Sequence, residues 1–175
     1  MFRDEDLNLK PLVPLAESRE GGEVARLRAR LAAGEDRPEA WVVPAWVEEE
    51  FYRLNNLQFQ IERLFAGVWG VRVDEERLAR AAAEAARLVR TSYLVSERGE
   101  AFVAALPPGR FRLYRPGEVP QETAASPQEA LWALKRLWAA RWSLDAVMER
   151  GPGGWPEPAP VVVEAPCWGR PIQPP

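Results

Sequence analysis

The chain has 175 residues, a hydrophobic fraction of 47% and a formal net charge of −3. This length is enough for one domain with a sizeable core, and the negative charge gives no basis for binding a phosphate backbone, so we expect no nucleic-acid partner. The chain contains no histidine, which removes the commonest general base and the commonest transition-metal ligand. The composition therefore argues against an enzyme, without deciding the question, and we expect no metal site.

The sequence also contains few features that would indicate a membrane segment or a disulfide bond. No apolar run is long enough to cross a bilayer, and the first ten residues, MFRDEDLNLK, lack the hydrophobic region of a signal peptide. We expect a cytoplasmic protein that makes no membrane contact. Cys167 is the only cysteine, which excludes an intrachain disulfide, and we expect it to be a small, buried or semi-buried thiol.

The first elements in the chain are short. Prolines interrupt the apolar residues 12–15, which indicates an edge strand or an extended arm. Val24, Leu27 and Leu31 repeat at helical spacing and predict a helix over residues 23–33, ended by Gly34. Residues 40–43 predict a short strand.

Two helices are predicted next. Residues 45–66 carry apolar side chains at the helical period, although Asn55 and Asn56 weaken the prediction that this helix is unbroken. Asp74 is a good N-cap for a third helix over residues 75–88.

The periodicity then changes, and we predict three short strands over residues 92–95, 101–106 and 110–114. Pro107-Pro108-Gly109 suits a tight hairpin between the second and third strands. Residues 116–125 are interpreted as a loop.

The longest predicted helix covers residues 126–151 and has a tryptophan-rich apolar face that must be buried. Ser126 is the N-cap, Pro127 suits the first helical position, and Glu129 completes a capping box. Gly151 ends the helix.

The predicted fold class is α+β, with long helices packed on a small, mostly antiparallel sheet. We assign residues 1–151 to a single domain. Residues 152–175 are interpreted as a Pro/Gly-rich linker, a C-terminal strand at residues 161–163 and an extended tail, all packing on the same domain.

Arg90, Thr91 and Ser92 form the clearest candidate site. They follow the third helix at its predicted junction with a strand. An arginine beside two hydroxyls suits recognition of a phosphate group, and a structural salt bridge of Arg90 is the alternative.

Several fragments, in this order, resemble the N-terminal ATP-binding region of phosphoenolpyruvate synthase and pyruvate phosphate dikinase. They are PLAE at 14–17, GGEVARL at 21–27, VPAW at 43–46, VRTSY at 89–93, QET at 121–123, the tryptophan-rich helix that closes at Arg150, and PVVVE at 160–164. The similarity extends over most of the chain, and its specificity lies in the order of the fragments.

The resemblance implies the fold of the first subdomain of that ATP-binding region, with Arg90 and Arg150 matching arginines that face phosphate oxygens. The lysine of the family's phosphate-holding loop is Glu23 here, and a carboxylate there would repel a triphosphate. The second lobe, with its adenine pocket and metal-binding carboxylates, would lie after Pro175.

Two functional hypotheses follow, beside the possibility that the similarity is accidental. The first is a non-catalytic domain, without cofactor, that binds a partner protein or self-associates through a freed apolar surface. The second is one half of a split ATP-dependent phosphotransferase, in which Arg90, Thr91, Ser92 and Arg150 contact phosphate.

Overall fold

Five short strands form one antiparallel sheet in the order β1-β2-β5-β3-β4. In the computed structural model, which describes residues 10–166, the strands are β1 (Val13–Pro14), β2 (Glu39–Val43), β3 (Phe111–Tyr114), β4 (Glu122–Ala124) and β5 (Val161–Ala165). Strand β5 is central, and all of its residues pair with β2, from Val161 opposite Val43 to Ala165 opposite Glu39. Cys167 and the predicted extended tail lie outside the described residues.

Seven α-helices pack on this sheet within the described part of the chain, so the predicted α+β fold class is confirmed. They are α1 (Gly22–Ala32), α2 (Ala45–Leu54), α3 (Leu57–Phe65), α4 (Glu75–Thr91), α5 (Ser96–Ala105), α6 (Pro127–Ala140) and α7 (Leu144–Arg150). None of the helices in the described range is long and apolar enough to cross a membrane.

The two faces of the sheet bury different helices because side chains alternate along each strand. Trp41, Val43, Leu113 and Val163 face the main core with α2 to α7. The opposite face carries a smaller cluster, in which Val42 of β2 and Val162 of β5 pack against Val24 of α1. Helix α1 is therefore separated from all the other helices by the sheet.

Several predicted elements are confirmed. The N-terminal apolar residues form the edge strand β1, and the helix after Gly21, the strand before Pro44 and the C-terminal strand lie where the sequence places them. Asp74 caps α4 by accepting the amide of Arg77 at 3.0 Å. At α6, Ser126 accepts the amide of Glu129 at 3.1 Å, and the Glu129 carboxylate accepts the amide of Ala125 at 2.8 Å.

Both long helices are shorter than predicted, because each is interrupted at a polar residue. Asn56 adopts a left-handed conformation (φ 49°, ψ 36°) and separates α2 from α3. The helix expected over residues 126–151 ends at Ala140, and Ser143 caps a new helix by accepting the amide of Ala146 at 3.3 Å. Serine and asparagine compete with helical hydrogen bonding through their own side chains, which favours such breaks.

The predictions of strands at 92–95 and 101–106, and of a hairpin through 107–109, are wrong. Residues 96–105 form α5, and Pro107-Pro108-Gly109 connects this helix to β3. Gly99 and Phe102, three residues apart, are both buried, and a Cβ at Gly99 would lie 3.5 Å from Leu131 Cδ2, so this side of α5 packs on α6 at ordinary contact distance. A short apolar run does not distinguish a buried helix from a strand.

The interpretation of residues 116–125 as a loop is wrong in part. Residues 122–124 form the edge strand β4, paired with β3. Arg136 of α6 donates a hydrogen bond to Glu122 at 2.9 Å, which fixes this strand beside the helix that follows it.

Candidate functional site

The site is built around a glycine-rich loop that follows α7. The amide of Gly154 donates to the carbonyl of Gly151 at 3.1 Å, which turns the chain back on itself. Gly154 packs directly on the preceding helix, and a Cβ at this position would lie 2.6 Å from Cβ and 2.7 Å from the carbonyl oxygen of Arg150. Only glycine fits that approach, and the turn brings Trp155 back against the core.

Trp155 joins a cluster of buried aromatic rings. Its ring centroid lies 5.0 Å from that of Trp142 and 6.0 Å from that of Tyr52, both in edge-to-face geometry. The indole N–H of Trp142 donates to the Tyr52 hydroxyl at 2.8 Å. Burial raises the pKa of Tyr52 well above its usual range, so this hydroxyl stays protonated. Its hydrogen bond with Trp142 fixes the positions of the Tyr52 and Trp142 rings relative to each other.

One side of Trp155 opens into a pocket of about 390 Å³, which we call the tryptophan pocket. Its aromatic walls come from α3, the turn after it, the α6–α7 connection and the glycine loop; they are Phe65, Trp69, Trp142 and Trp155. Glu62 is the only ionisable residue among those that line it. An apolar enclosure with few polar groups is typical of small-molecule sites.

The other side of Trp155 belongs to a larger cleft of about 1020 Å³, which we call the arginine cleft. Arg115, Arg141 and Arg150 line it, together with Glu118 and other carboxylates. Arg141 is already engaged, because it donates to the carbonyl of Glu157 and, at 3.3 Å, to the carboxylate of Glu118.

Arg115 is held in place by a buried ion pair. Its guanidinium donates to Glu48 at 3.1 Å and to the carbonyl of Leu137 at 2.8 Å, and both charged side chains are almost fully buried. Glu48 also accepts the amide of Ala159 at 3.1 Å. Burial raises the pKa of Glu48, against the opposing effect of the Arg115 charge, and burial lowers the pKa of Arg115.

Arg150 has two nitrogens, Nε and Nη2, that are buried without a hydrogen-bond partner, whereas Arg115 has one, its Nε, and also has Glu48 as a charged partner. Its guanidinium carbon lies 5.0 Å from the centre of the Trp142 ring, a cation–π contact. Burial, and then the nearby charge of Arg141, lower its pKa. Two nitrogens with unpartnered N–H groups at the wall of a cleft are the arrangement that an anionic ligand would complete.

The structure places the other predicted phosphate-binding residues elsewhere. Arg90 and Thr91 are exposed in the last turn of α4, and Ser92 is its C-cap. The hydroxyls of Thr91 and Ser92 donate to carbonyls of their own helix, those of Arg87 at 2.9 Å and Leu88 at 2.6 Å. These three residues do not line the arginine cleft, so the four predicted residues are not brought together in one cleft.

Glu23 is also remote from Arg150. It lies in the first turn of α1, where its carboxylate pairs with Arg26. Because α1 packs on the opposite face of the sheet from α7, Glu23 and Arg150 lie on different sides of the sheet. Between residues 10 and 166, no three acidic or cysteine side chains are grouped so that they could hold a metal ion.

Sequence reasoning missed Trp155, the two regions that it separates, and the Glu48–Arg115 pair. The members of that pair are 67 residues apart in the chain, so no local pattern connects them. The segment GPGGWPEP was interpreted as a linker, although a run of glycines before a tryptophan is a usable signal for a turn that returns the aromatic ring to the core. No protein-family model matches the sequence, and no curated protein matches it either.

Proposed function

We propose that the chain is a non-catalytic binding module, similar to the first ATP-binding lobe of the phosphoenolpyruvate synthase and pyruvate phosphate dikinase family, that binds a partner protein or a second copy of itself. It works in the cytoplasm, without a cofactor and without contacting nucleic acid or membrane. The observation that supports this proposal best is a group of exposed apolar side chains around Tyr93.

We call this group the Tyr93 surface; it comprises Leu54, Tyr93, Val95 and Trp132. Tyr93 is 83% exposed, and Leu54 and Trp132 are each 51% exposed. The Asn55 side chain bonds both the amide and the carbonyl of Tyr93, at 3.3 and 2.9 Å, which joins the end of α2 to this segment. Large apolar side chains left exposed on neighbouring segments are typical of protein interfaces.

The fixed backbone at this surface also supports an interface. Lys135 donates to the carbonyl of Ser92 at 3.0 Å, one helical turn from Trp132 on α6. Arg98 pairs with Glu50 at 2.9 Å and stacks on Trp46 beside the start of α5. A surface that is ordered before binding loses little conformational entropy when a partner arrives.

The test compares the double variant Leu54→Gln/Tyr93→Ser with Met148→Gln, a control that removes an equally exposed apolar side chain from α7. Light scattering after size exclusion measures self-association, and affinity capture from the native host measures partner binding. We expect the wild-type chain and Met148→Gln to retain the same dimer or the same partner, and the double variant to lose it. A monomer without a partner, or identical behaviour of both variants, would contradict the proposal.

The second candidate function is one half of a split ATP-dependent phosphotransferase. It is favoured by the two unpartnered nitrogens of Arg150 at the arginine cleft. Phosphate oxygens are strong acceptors for a guanidinium, and the neighbouring arginines would add to the attraction. In this case another chain supplies the remaining ATP contacts.

Calorimetric titration with ATP and magnesium tests this candidate, using the chain alone and then with any captured partner. The split-enzyme candidate requires that the chain bind ATP and that Arg150→Met abolish this binding. If Arg90 also contacts phosphate, Arg90→Ala should weaken ATP binding as well. Absence of ATP binding under both conditions would remove it and leave the interaction module.

A further inference from the structure

We propose that the tryptophan pocket binds a small organic cation of the quaternary ammonium class, such as a trimethylammonium group. Four aromatic residues contributed by four different segments line one pocket of about 390 Å³. The faces of aromatic rings carry negative electrostatic potential and attract cations, and quaternary ammonium groups suit such walls because they need no hydrogen-bond partner.

The rings are available for contact. Phe65, Trp69 and Trp155 are each only partly buried, although a side chain needed solely for the core would be expected to bury fully. Trp69 makes part of the wall from the turn after α3, and Trp155 closes the opposite side from the glycine loop. The pocket therefore has walls fixed by the core and open on one side to solvent.

Charge decides between a cation and an anion as the ligand. Among the described residues, Glu62 is the only ionisable one that lines the pocket, and it is exposed, with its carboxylate accepting a hydrogen bond from Gln58 at 3.0 Å. Ala66 and Gly151, the C-cap residues of α3 and α7, also line the pocket. The C-terminal end of a helix carries partial negative charge, so these two ends add to the effect of Glu62.

None of the neighbouring arginines in the described part of the chain lines the pocket. Arg150 stacks on Trp142 but belongs to the arginine cleft on the other side. Arg63 stacks on Phe59 at 5.7 Å, on the exposed side of α3. Arg150 nevertheless uses one face of Trp142, and we therefore assign the main contacts to Phe65, Trp69 and Trp155.

Choline and its neutral carbon isostere, 3,3-dimethyl-1-butanol, provide a sharp test, since they have the same shape and differ in charge. Calorimetry on the full chain measures affinity, and the indole N–H resonances of the tryptophans report where each compound binds. We expect choline to bind at least tenfold more tightly than the isostere, and to shift the Trp69 and Trp155 resonances but not that of Trp132. Equal affinities, or no binding of choline, would overturn the proposal.

Variants locate the site and separate charge from shape. Trp69→Leu is expected to weaken choline binding about tenfold, the effect of losing one well-placed ring, while Trp132→Leu, outside the pocket, leaves it unchanged. Glu62→Gln alters only an exposed side chain, so it tests the charge even if Trp69→Leu does not fold. We expect it to weaken choline severalfold and to leave the isostere unaffected; equal effects on both compounds would contradict a charge-selective pocket.

Discussion

The tryptophan pocket and the arginine cleft share one wall, Trp155, yet they offer opposite chemistry. The pocket is lined by aromatic rings and a single carboxylate, whereas the cleft contains three arginines among several acids. Both depend on the turn at Gly154, which returns the chain to the core. The comparison teaches that one tightly packed loop can divide a protein surface into two regions of different chemical character.

Two arginines of the cleft show a second contrast, Arg115 being buried and Arg150 half-buried. Arg115 has a charged partner in Glu48, whereas Arg150 has an aromatic ring and two nitrogens without a hydrogen bond. Removing one member of a buried ion pair is strongly destabilising, because the other charge is left buried without a partner. Removing Arg150 leaves no carboxylate unpaired, so we expect a smaller loss of stability. We therefore expect Arg115 to contribute more to stability than Arg150.

The largest expected effect is that of Glu48→Gln. The substitution keeps the size of the side chain but puts an amide NH₂ in place of one of the two oxygens that accept from Arg115 and from the amide of Ala159, which leaves a buried donor without an acceptor. We therefore expect the free energy of unfolding to fall by about 3–5 kcal/mol. Urea unfolding measures the loss. Glu49→Gln, at the exposed neighbouring position, is the control and should change stability little; similar losses in both variants would show that the buried pair is not the cause.

The pH dependence of this pair has a definite sign. Because burial raises the pKa of Glu48, the folded state keeps its proton over a range in which the unfolded chain has already lost it. The wild type therefore loses stability relative to Glu48→Gln as the pH rises from the ordinary carboxyl range through the raised pKa. The difference in the free energy of unfolding between the wild type and Glu48→Gln should therefore decrease with increasing pH. An increase over that range would be incompatible with a raised pKa of Glu48.

The next effect is that of Gly154→Ala, which tests whether both regions depend on one turn. The added methyl group would overlap with Arg150, and we expect a destabilisation of about 1–3 kcal/mol. Indole resonances of Trp142 and Trp155 should shift together. Gly21→Ala is the matched control, because its backbone φ is −88° and no atom lies within 4 Å of the added carbon. Unchanged resonances in Gly154→Ala would separate the two regions.

The smallest effect is expected for Arg150→Met. Loss of the stacking on Trp142 costs up to about 1 kcal/mol. Removal of the two buried guanidinium nitrogens that lack a hydrogen bond offsets this cost, so the free energy of unfolding should stay within about 1 kcal/mol of the wild type. Arg115→Met should cost about 3–5 kcal/mol in the same unfolding experiment, since it leaves Glu48 unpaired. Equal losses would remove the distinction between the two arginines.

The fold was predictable where short-range signals agree. Ser126 with Glu129, and Asp74 before α4, specify helix starts through hydrogen bonds between neighbours in the chain. The apolar run at β5 was predictable as a buried strand because consecutive valines are a local signal of burial in a sheet. Helix α5 was missed because its short apolar run is compatible with either a strand or a helix. The packing of α5 on α6, where Gly99 lies beside Leu131, is a tertiary contact that the local pattern does not contain.

The site was much less predictable than the fold. Arg150 was named because of a resemblance, and the structure places it at a cleft with Arg141. Arg90, Thr91 and Ser92 are adjacent in sequence, but their hydroxyls bond to the helix that carries them. Adjacency in the chain brought these side chains together locally, and it gave no information on whether they shared a cleft with Arg150.

The sequence by itself determined the class of fold, the starts of the main helices and the central strand, because capping and periodicity act over a few residues. The tertiary structure alone decided which arginine is paired and which is not, and that Trp155 separates an aromatic pocket from a charged cleft. Those features depend on contacts such as Glu48 with Arg115 and Trp155 with Tyr52. Contacts between distant segments exist only once the sheet and helices have packed, so no local pattern specifies them.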